Sequence, residues 1–293
     1  MELQKVGWIG TGVMGRSMCM HVLKKGYRIN VFNRTKDKAL ELLGNGAEWC
    51  DNPSEVAAKS DIVFTIVGYP SDVEEVILGE EGVLNGAREG TIVVDMTTSE
   101  PSLAVKIFSE AEKKSVEALD APVSGGDIGA KEGKLAIMVG GKKDIFDRVY
   151  PFFECMGQNI AYMGDAGAGQ HTKMSNQILI ASTMIGVVES LLYACKAGLD
   201  PDEVIDVIGK GAASSWSINN LGRRIVKKDF DPGFFIKHFV KDMGIALEEA
   251  KRMKLSLPGL ALANQFYVSA MAMGYENLGT QGLYKVFEKL NGK

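Results

Sequence analysis

The chain has 293 residues, 46% of them hydrophobic and 24% charged, with a formal net charge of −4 at pH 7. That profile belongs to a globular protein long enough for two domains with substantial cores, and it excludes a global attraction to nucleic acid. The uncharged stretch 174–188 falls short of the roughly 20 residues that span a bilayer, so it is expected as a buried helix and no membrane role is expected. Cys19, Cys50, Cys155 and Cys195 are scattered without C-x-x-C spacing, which argues against bound metal and disulfides and suits a reducing cytoplasm. Apolar strand composition begins within the first few residues, so no leader peptide is expected.

Lys5–Ile9 is an apolar run that breaks straight into Gly10-Thr11-Gly12-Val13-Met14-Gly15. Helix composition follows over 14–25, and a second apolar run, Arg28–Phe32, ends in Asn33-Arg34-Thr35. A lone G-x-G-x-x-G is a weak signal in a chain with 34 glycines; strand, turn, helix and second strand in this order make it a dinucleotide fingerprint. Gly10 permits the sharp turn, Gly12 lets the backbone approach a diphosphate, and Gly15 lets the helix pack close to the sheet. The helix N-terminus then aims its amides at the phosphates. In an NAD site an acidic residue usually closes the second strand and accepts from the ribose diol. Here Asn33 stands there, with Arg34 next and Lys36 and Lys38 behind. A neutral amide followed by a planar cation suits a 2′-phosphate, so NADP is the expected cofactor and NAD the less favoured one. The alternative is that Arg34 and the lysines are a solvated helix start.

Further apolar runs at 62–66, 91–95, 116–120, 135–140 and 159–163 alternate with helix-length segments at 36–43, 71–78, 101–113 and 144–154. That alternation predicts a parallel sheet wrapped by helices, with ligands beyond the carboxyl ends of its strands. Pro53, Pro70, Pro101 and Pro201 sit at plausible helix starts, where a missing amide proton costs little. After Gly164 the pattern changes. Gly167 and Gly169 open a long helical run to about residue 197, and amphipathic helices are expected at 202–208, 238–252 and 260–273. The expected architecture is therefore a Rossmann-type doubly wound α/β domain over 1–164 and an all-helical domain over 165–293, joined by one long helix.

Three clusters carry chemistry. In Asp120-Ala121-Pro122-Val123-Ser124-Gly125-Gly126, Ser124 and the amides of Gly125 and Gly126 form donors suited to a carboxylate, although glycine pairs also make plain turns. In the segment 164–177, Lys173, Asn176 and Gln177 are spaced i, i+3 and i+4 and share a face that Ile180 extends inward. A lysine near a helix N-terminus, partly buried, is expected to lose its proton more easily than usual, which suits proton transfer; the other reading is a surface lysine. The third cluster, Lys237-His238-Phe239-Val240-Lys241-Asp242-Met243, fits either an anion contact or solvated charge. The basic stretch at 223–228 reads as the wet face of a helix. Trp216 either shapes a pocket or anchors the helical domain, and the second is the favoured reading. His21, His171 and His238 have no metal spacing, and no G-x-S-x-G or G-K-[ST] string occurs, which disfavours hydrolase and nucleotide triphosphatase readings.

Taken together, Gly10–Gly15, Asp95-Met96-Thr97-Thr98, Asp120–Gly126, Gly167-Ala168-Gly169 with Lys173-Met174-Ser175-Asn176, and Lys241-Asp242-Met243 resemble the β-hydroxyacid dehydrogenase family over essentially the whole chain. Its members include 3-hydroxyisobutyrate dehydrogenases and tartronate semialdehyde and succinic semialdehyde reductases. The resemblance implies that Lys173 is the catalytic lysine, that Ser124 and Gly125 hold the substrate carboxylate, and that Asn176 orients the substrate. It also implies that Thr98 and Lys241 contact the cofactor, with Val67, Gly68 and Tyr69 lining its nicotinamide-ribose side. Two positions depart from the common pattern: Gln177 replaces a second Asn, as in tartronate semialdehyde reductases, and Gly68-Tyr69-Pro70 replaces a Leu-Pro pair.

The expected function is NADP-dependent interconversion of a short 3-hydroxy acid and its semialdehyde, of the 3-hydroxyisobutyrate or 2-hydroxy-3-oxopropionate type. Family precedent suggests a homodimer or homotetramer. The rival reading is a catalytically silent NADP-binding regulator or scaffold; Lys173, Asn176 and the Ser-Gly-Gly cluster together argue against it.

Overall fold

The computed structural model describes residues 5–292, and the chain divides into two compact units, Met1–Lys173 and Met174–Lys293. In the first unit one sheet contains β1 (Lys5–Ile9), β2 (Arg28–Phe32), β3 (Glu48–Trp49), β4 (Ile62–Thr65), β5 (Ile92–Asp95), β6 (Glu117–Asp120), β7 (Val123–Ser124), β8 (Leu135–Gly141) and β9 (Gly157–Gly164). Their order is β3-β2-β1-β4-β5-β6-β8-β7, with β9 beside β8. The chain therefore reverses direction across the sheet at β1, between β2 and β4, where doubly wound sheets open their ligand crevice.

Around the sheet lie α1 (Val13–Lys24), α2 (Leu40–Gly44), α3 (Pro53–Ala58), α4 (Pro70–Leu78), α5 (Val83–Gly86), α6 (Pro101–Glu112), α7 (Gly126–Glu132) and α8 (Lys143–Phe153). Proline occupies the first turn of α3, α4 and α6. Asn52 adds a cap to α3 by accepting from the Glu55 amide at 2.8 Å. Alternating strand residues feed two separate cores, because successive side chains point to opposite faces. Trp8, Val31, Phe64, Val94 and Leu119 pack with Met18, Val22 and Phe153 on one face. Ile9, Val63, Val93 and Ala118 pack with Val56, Val73 and Ile107 on the other. Burial of each such side chain contributes on the order of 1.5–3 kcal/mol.

Three features depart from the sequence reading. The sheet is not wholly parallel: β8 runs antiparallel to β6 and β7, while β9 is parallel to β8. The strands β3 and β7 have only two residues each, too few to display a period. The segment expected as a helix over 36–43 is a 3-10 turn, Lys36–Ala39, followed by the short α2.

The second unit is helical. The helix α9 (Ala168–Lys196) begins in the first unit and supplies its later turns here, followed by α10 (Pro201–Ile208), α11 (Arg223–Val226), α12 (Ile236–Arg252), α13 (Pro258–Ala272) and α14 (Leu283–Leu290). Proline also opens α10, where Asp200 caps the helix. Ala181, Met184, Val188 and Leu191 of α9 meet Phe239, Met243, Leu260, Tyr267, Leu283 and Val286 in a single core. By length and composition alone α9 could cross a membrane, and it is the one such helix among the described residues. The stretch expected to be buried is buried on one face only, since Leu179 is 70% exposed.

The basic stretch after residue 222 is tied into structural ion pairs. Arg223 meets Asp202 and Asp206, and Arg224 meets Asp229. Trp216, expected as an anchor, is 63% exposed at the head of a π-helical turn, Ser217–Gly222. Anchoring needs a buried ring, so that reading is corrected.

Candidate active site

The glycine loop between β1 and α1 is sterically specified. Gly10 has φ +97°, and a Cβ there would overlap the Ile66 carbonyl oxygen. A Cβ on Gly15 would overlap the Gly10 carbonyl oxygen. Gly12 differs, because a Cβ there would meet nothing within 4 Å. Its glycine is not required by the protein's own packing, and the open position suits the approach of a ligand's diphosphate. The first turn of α1 contains no acidic residue, and its N-cap, Gly12, offers no side chain to satisfy the free amides. Thr11 is buried with its hydroxyl lacking any partner. Exposed amides, an orphaned hydroxyl and an open glycine are what a bound diphosphate would satisfy, so these residues fit a dinucleotide.

Asn33, just beyond β2, uses its side chain within the protein. Its Oδ1 accepts from the Thr11 amide at 2.9 Å, and its Nδ2 donates to the Thr35 carbonyl at 2.8 Å. It therefore fixes the glycine loop against the end of β2. Arg34 has a side chain 87% exposed and reaches the Asp72 carboxylate at 3.3 Å. Asp72 also accepts from the Tyr69 amide at 3.1 Å, at the start of α4. The Val67 amide donates to the Thr97 hydroxyl at 3.0 Å. Both ends of the segment Val67-Gly68-Tyr69 are thus tied down beside the carboxyl end of β4. Among the loop residues Val13 is exposed and Met14 half-buried, while Thr98, after β5, is half-buried.

At the carboxyl ends of the next strands, Asp95 of β5 and Asp120 of β6 are paired side by side in register. Asp95 accepts from the Thr65 hydroxyl at 2.8 Å and from the Thr97 amide at 3.1 Å. Burial nevertheless outweighs these bonds and pushes its carboxyl up to about 6. Ser124 ends β7 half-buried. Gly125 and Gly126 follow with φ of +132° and +63°, conformations that side chains rarely adopt, and they open α7. Lys173, in the second turn of α9, is only 6% exposed, which excludes the surface-lysine reading. His171, by contrast, is exposed.

In the helical unit, Asn176 donates to Gln177 at 2.7 Å, and Gln177 donates to the Asp242 carboxylate at 2.6 Å. The Lys241 ammonium lies 3.0 Å from the other oxygen of Asp242. Asp242 was visible in the sequence only as a neighbour of Lys241. Its burial among the core residues of α12 makes it the junction of this chain. The remaining members of that cluster behave differently. Lys237 donates to Asn277 at 2.8 Å and lies over the Phe235 ring. Burial, and then the nearby Lys241 charge, pushes His238 below its ordinary range. No group of three or more His, Cys, Asp or Glu that could hold a metal occurs among the described residues, and all four thiols are free.

A doubly wound sheet with this loop at its crevice defines a dinucleotide-binding domain. Residues 5–164 match the family described as the NAD binding domain of 6-phosphogluconate dehydrogenase. Residues 167–287 match the NAD-binding family of NADP-dependent 3-hydroxyisobutyrate dehydrogenase. The chain is 56% identical to a 3-hydroxyisobutyrate dehydrogenase-like protein of Arabidopsis thaliana, over 98% of this chain and 86% of that protein. It is 38% identical to the 2-hydroxy-3-oxopropionate reductase of Escherichia coli K12, over 97% of each. Among solved structures, Mycobacterium tuberculosis 3-hydroxyisobutyrate dehydrogenase with L-serine superposes with a TM-score of 0.89 at 27% identity, covering 97% of this chain and 99% of that one. The chain belongs to the β-hydroxyacid dehydrogenase family and is an NAD(P)-dependent hydroxyacid dehydrogenase.

Proposed function

We propose that this enzyme interconverts a short 3-hydroxy acid and its semialdehyde, using NADP in preference to NAD, with Lys173 as general acid and base. The observation that carries the reading is a lysine almost sealed from water near the start of α9, in the same unit as the Ser124–Gly126 turn. When bound, the nicotinamide supplies or receives the hydride. On reduction the Lys173 ammonium gives a proton to the carbonyl oxygen. On oxidation its neutral amine takes the hydroxyl proton, so that direction speeds up as pH rises. Ser124 and the amides of Gly125 and Gly126 hold the substrate carboxylate and set the reacting carbon against the ring, so a plain aldehyde loses turnover as well as affinity.

Asn176 and Gln177 orient the rest of the substrate. Gln177 in place of a second Asn favours the 2-hydroxy-3-oxopropionate type over the 3-hydroxyisobutyrate type. The diphosphate lies on the amides of Gly10–Gly15, and Thr98, Lys241 and the Val67–Tyr69 segment border the nicotinamide ribose. The exposed Arg34 exchanges its Asp72 partner for the 2′-phosphate, with Asn33 and Thr35 setting the turn that presents it. The exposed apolar side chains Leu179, Tyr193 and Leu262 of the helical unit support self-association as a dimer or tetramer, in a cytoplasmic setting.

The test follows loss of the reduced-cofactor absorbance band with 2-hydroxy-3-oxopropionate, succinic semialdehyde and a plain aldehyde, and its gain with 3-hydroxyisobutyrate. NADP and NAD are run side by side. Turnover of at least one acid substrate, faster with NADP, is expected. Tight cofactor binding without turnover of any substrate would instead give the silent regulator.

A further inference from the structure

The first turn of α9 is anchored by two buried side chains that the functional reading leaves unused, one from outside the helix and one within it. Asp120, the last residue of β6, is 4% exposed. Its Oδ1 accepts from the Gly167 amide and its Oδ2 from the Gln170 amide, both at 2.8 Å. Gln170 is fully buried and reaches from that turn to the loop after β5. Its Oε1 accepts from the Ser99 amide at 3.0 Å, and its Nε2 donates to the Thr97 carbonyl at 2.7 Å. Glycines close tightly around the carboxylate. A Cβ on Gly140 would stand 2.6 Å from Asp120 Oδ1, and one on Gly169 would stand 2.8 Å from Asp120 Oδ2. Burial pushes the Asp120 carboxyl up from its ordinary range, while the amides of Gly167, Gln170 and Gly169 oppose that shift. A buried carboxylate with both oxygens committed to main-chain donors fixes backbone rather than rotamers.

We propose that Asp120 and Gln170 are positioning residues that set where the Lys173 amine stands relative to the Ser124 turn. The inference rests on the reading of Lys173 as the proton-transfer group. Asp120 lies four residues before Ser124, and both are pinned to the same neighbouring strand, Asp120 opposite Gly140 and Ser124 opposite Ala136. Gln170 precedes Lys173 by three residues, about 4.5 Å along the helix axis. One short piece of chain therefore carries the carboxylate turn and also holds the helix that carries the lysine. Asparagine cannot replace Asp120 without cost, because its NH₂ would face an amide N–H that now donates.

The experiment compares Asp120→Asn, Gln170→Met and Lys173→Ala in the full chain. It reads amide hydrogen exchange over residues 165–176, NADPH affinity by fluorescence, kcat and KM, and the solvent deuterium isotope effect with 2-hydroxy-3-oxopropionate and 3-hydroxyisobutyrate. For Asp120→Asn we expect faster exchange in the first turn of α9 and a kcat lower by roughly 10–100-fold. NADPH affinity should stay within about twofold, and the isotope effect should grow because a misplaced donor slows proton transfer. Unchanged exchange overturns the proposal, as does a lower melting temperature with kcat per folded molecule and isotope effect unmoved. If Asp120→Asn does not fold, Gln170→Met, which keeps both bonds to Asp120, carries the same expectations for exchange, kcat and isotope effect and the same overturning results. Parent-level turnover in Asp120→Asn and Gln170→Met beside an inactive Lys173→Ala defeats the positioning role alone. An active Lys173→Ala defeats the proton-transfer reading and this inference with it.

Discussion

Two buried carboxylates, one in each unit, solve the same problem in different ways. Asp120 gives both oxygens to main-chain amides of one helical turn, whereas Asp242 gives its oxygens to the side chains of Gln177 and Lys241. Main-chain bonds specify where an element runs, and any residue type can follow on that element. Side-chain bonds specify only each other, so one substitution re-sorts the whole chain of partners. The α/β unit thus carries the fixed frame, and the helical unit carries the replaceable contacts. On the proposed function, Gln177 is the position where a substitution is expected to shift substrate preference.

Several measurements would break or sharpen that contrast. The largest expected effect is in Lys173→Ala, with turnover lower by on the order of 10²–10⁴ and NADPH binding intact, measured by stopped-flow absorbance and fluorescence titration. Next is Asp242→Ala, which removes the buried carboxylate that Gln177 and Lys241 share. Removing one member of a buried pair typically costs about 3–5 kcal/mol, to be read from urea unfolding. Should Asp242→Ala prove as stable as the parent, the polar chain of the helical unit is not holding its residues. Arg34→Ala is expected to raise KM for NADP by roughly tenfold, about 1.4 kcal/mol of recognition, and to leave KM for NAD unchanged. A proportional rise for both cofactors would remove Arg34 from 2′-phosphate recognition.

A further measurement is the pH dependence of stability at Asp95. Its carboxyl stands near 6 in the folded chain, against an ordinary value of 3.8. The folded state therefore holds its proton more tightly, and this group's contribution falls as pH rises from about 4 to 6, then levels off. Asp95→Asn cannot lose that proton. Its melting temperature should gain on the parent between pH 4.5 and 7, and a constant difference across that range would contradict the buried charge.

Much of the frame was legible because its signals are local. The glycine spacing at 10, 12 and 15, the prolines opening α3, α4, α6 and α10, and the apolar strand runs each announce themselves within a few residues. The antiparallel pairing of β8 was not legible, since it depends on a two-residue strand and on β6 that precedes it by some fifteen residues. Asn33 was found by position, but its action is to brace the glycine loop through Thr11 and Thr35, which no residue type reveals. Asp120 and Gln170 lie 50 residues apart in sequence, so their meeting exists only once the sheet has formed. Trp216 failed as an anchor because an aromatic residue in a polar neighbourhood gives no clue to which side of the surface it lies on.

The bare opening turn of α1 has one practical outcome. With no acidic side chain or cap to occupy its amides, inorganic phosphate or sulfate in an assay buffer competes for the same donors. The apparent KM for the dinucleotide will read higher in phosphate than in a zwitterionic buffer of equal ionic strength.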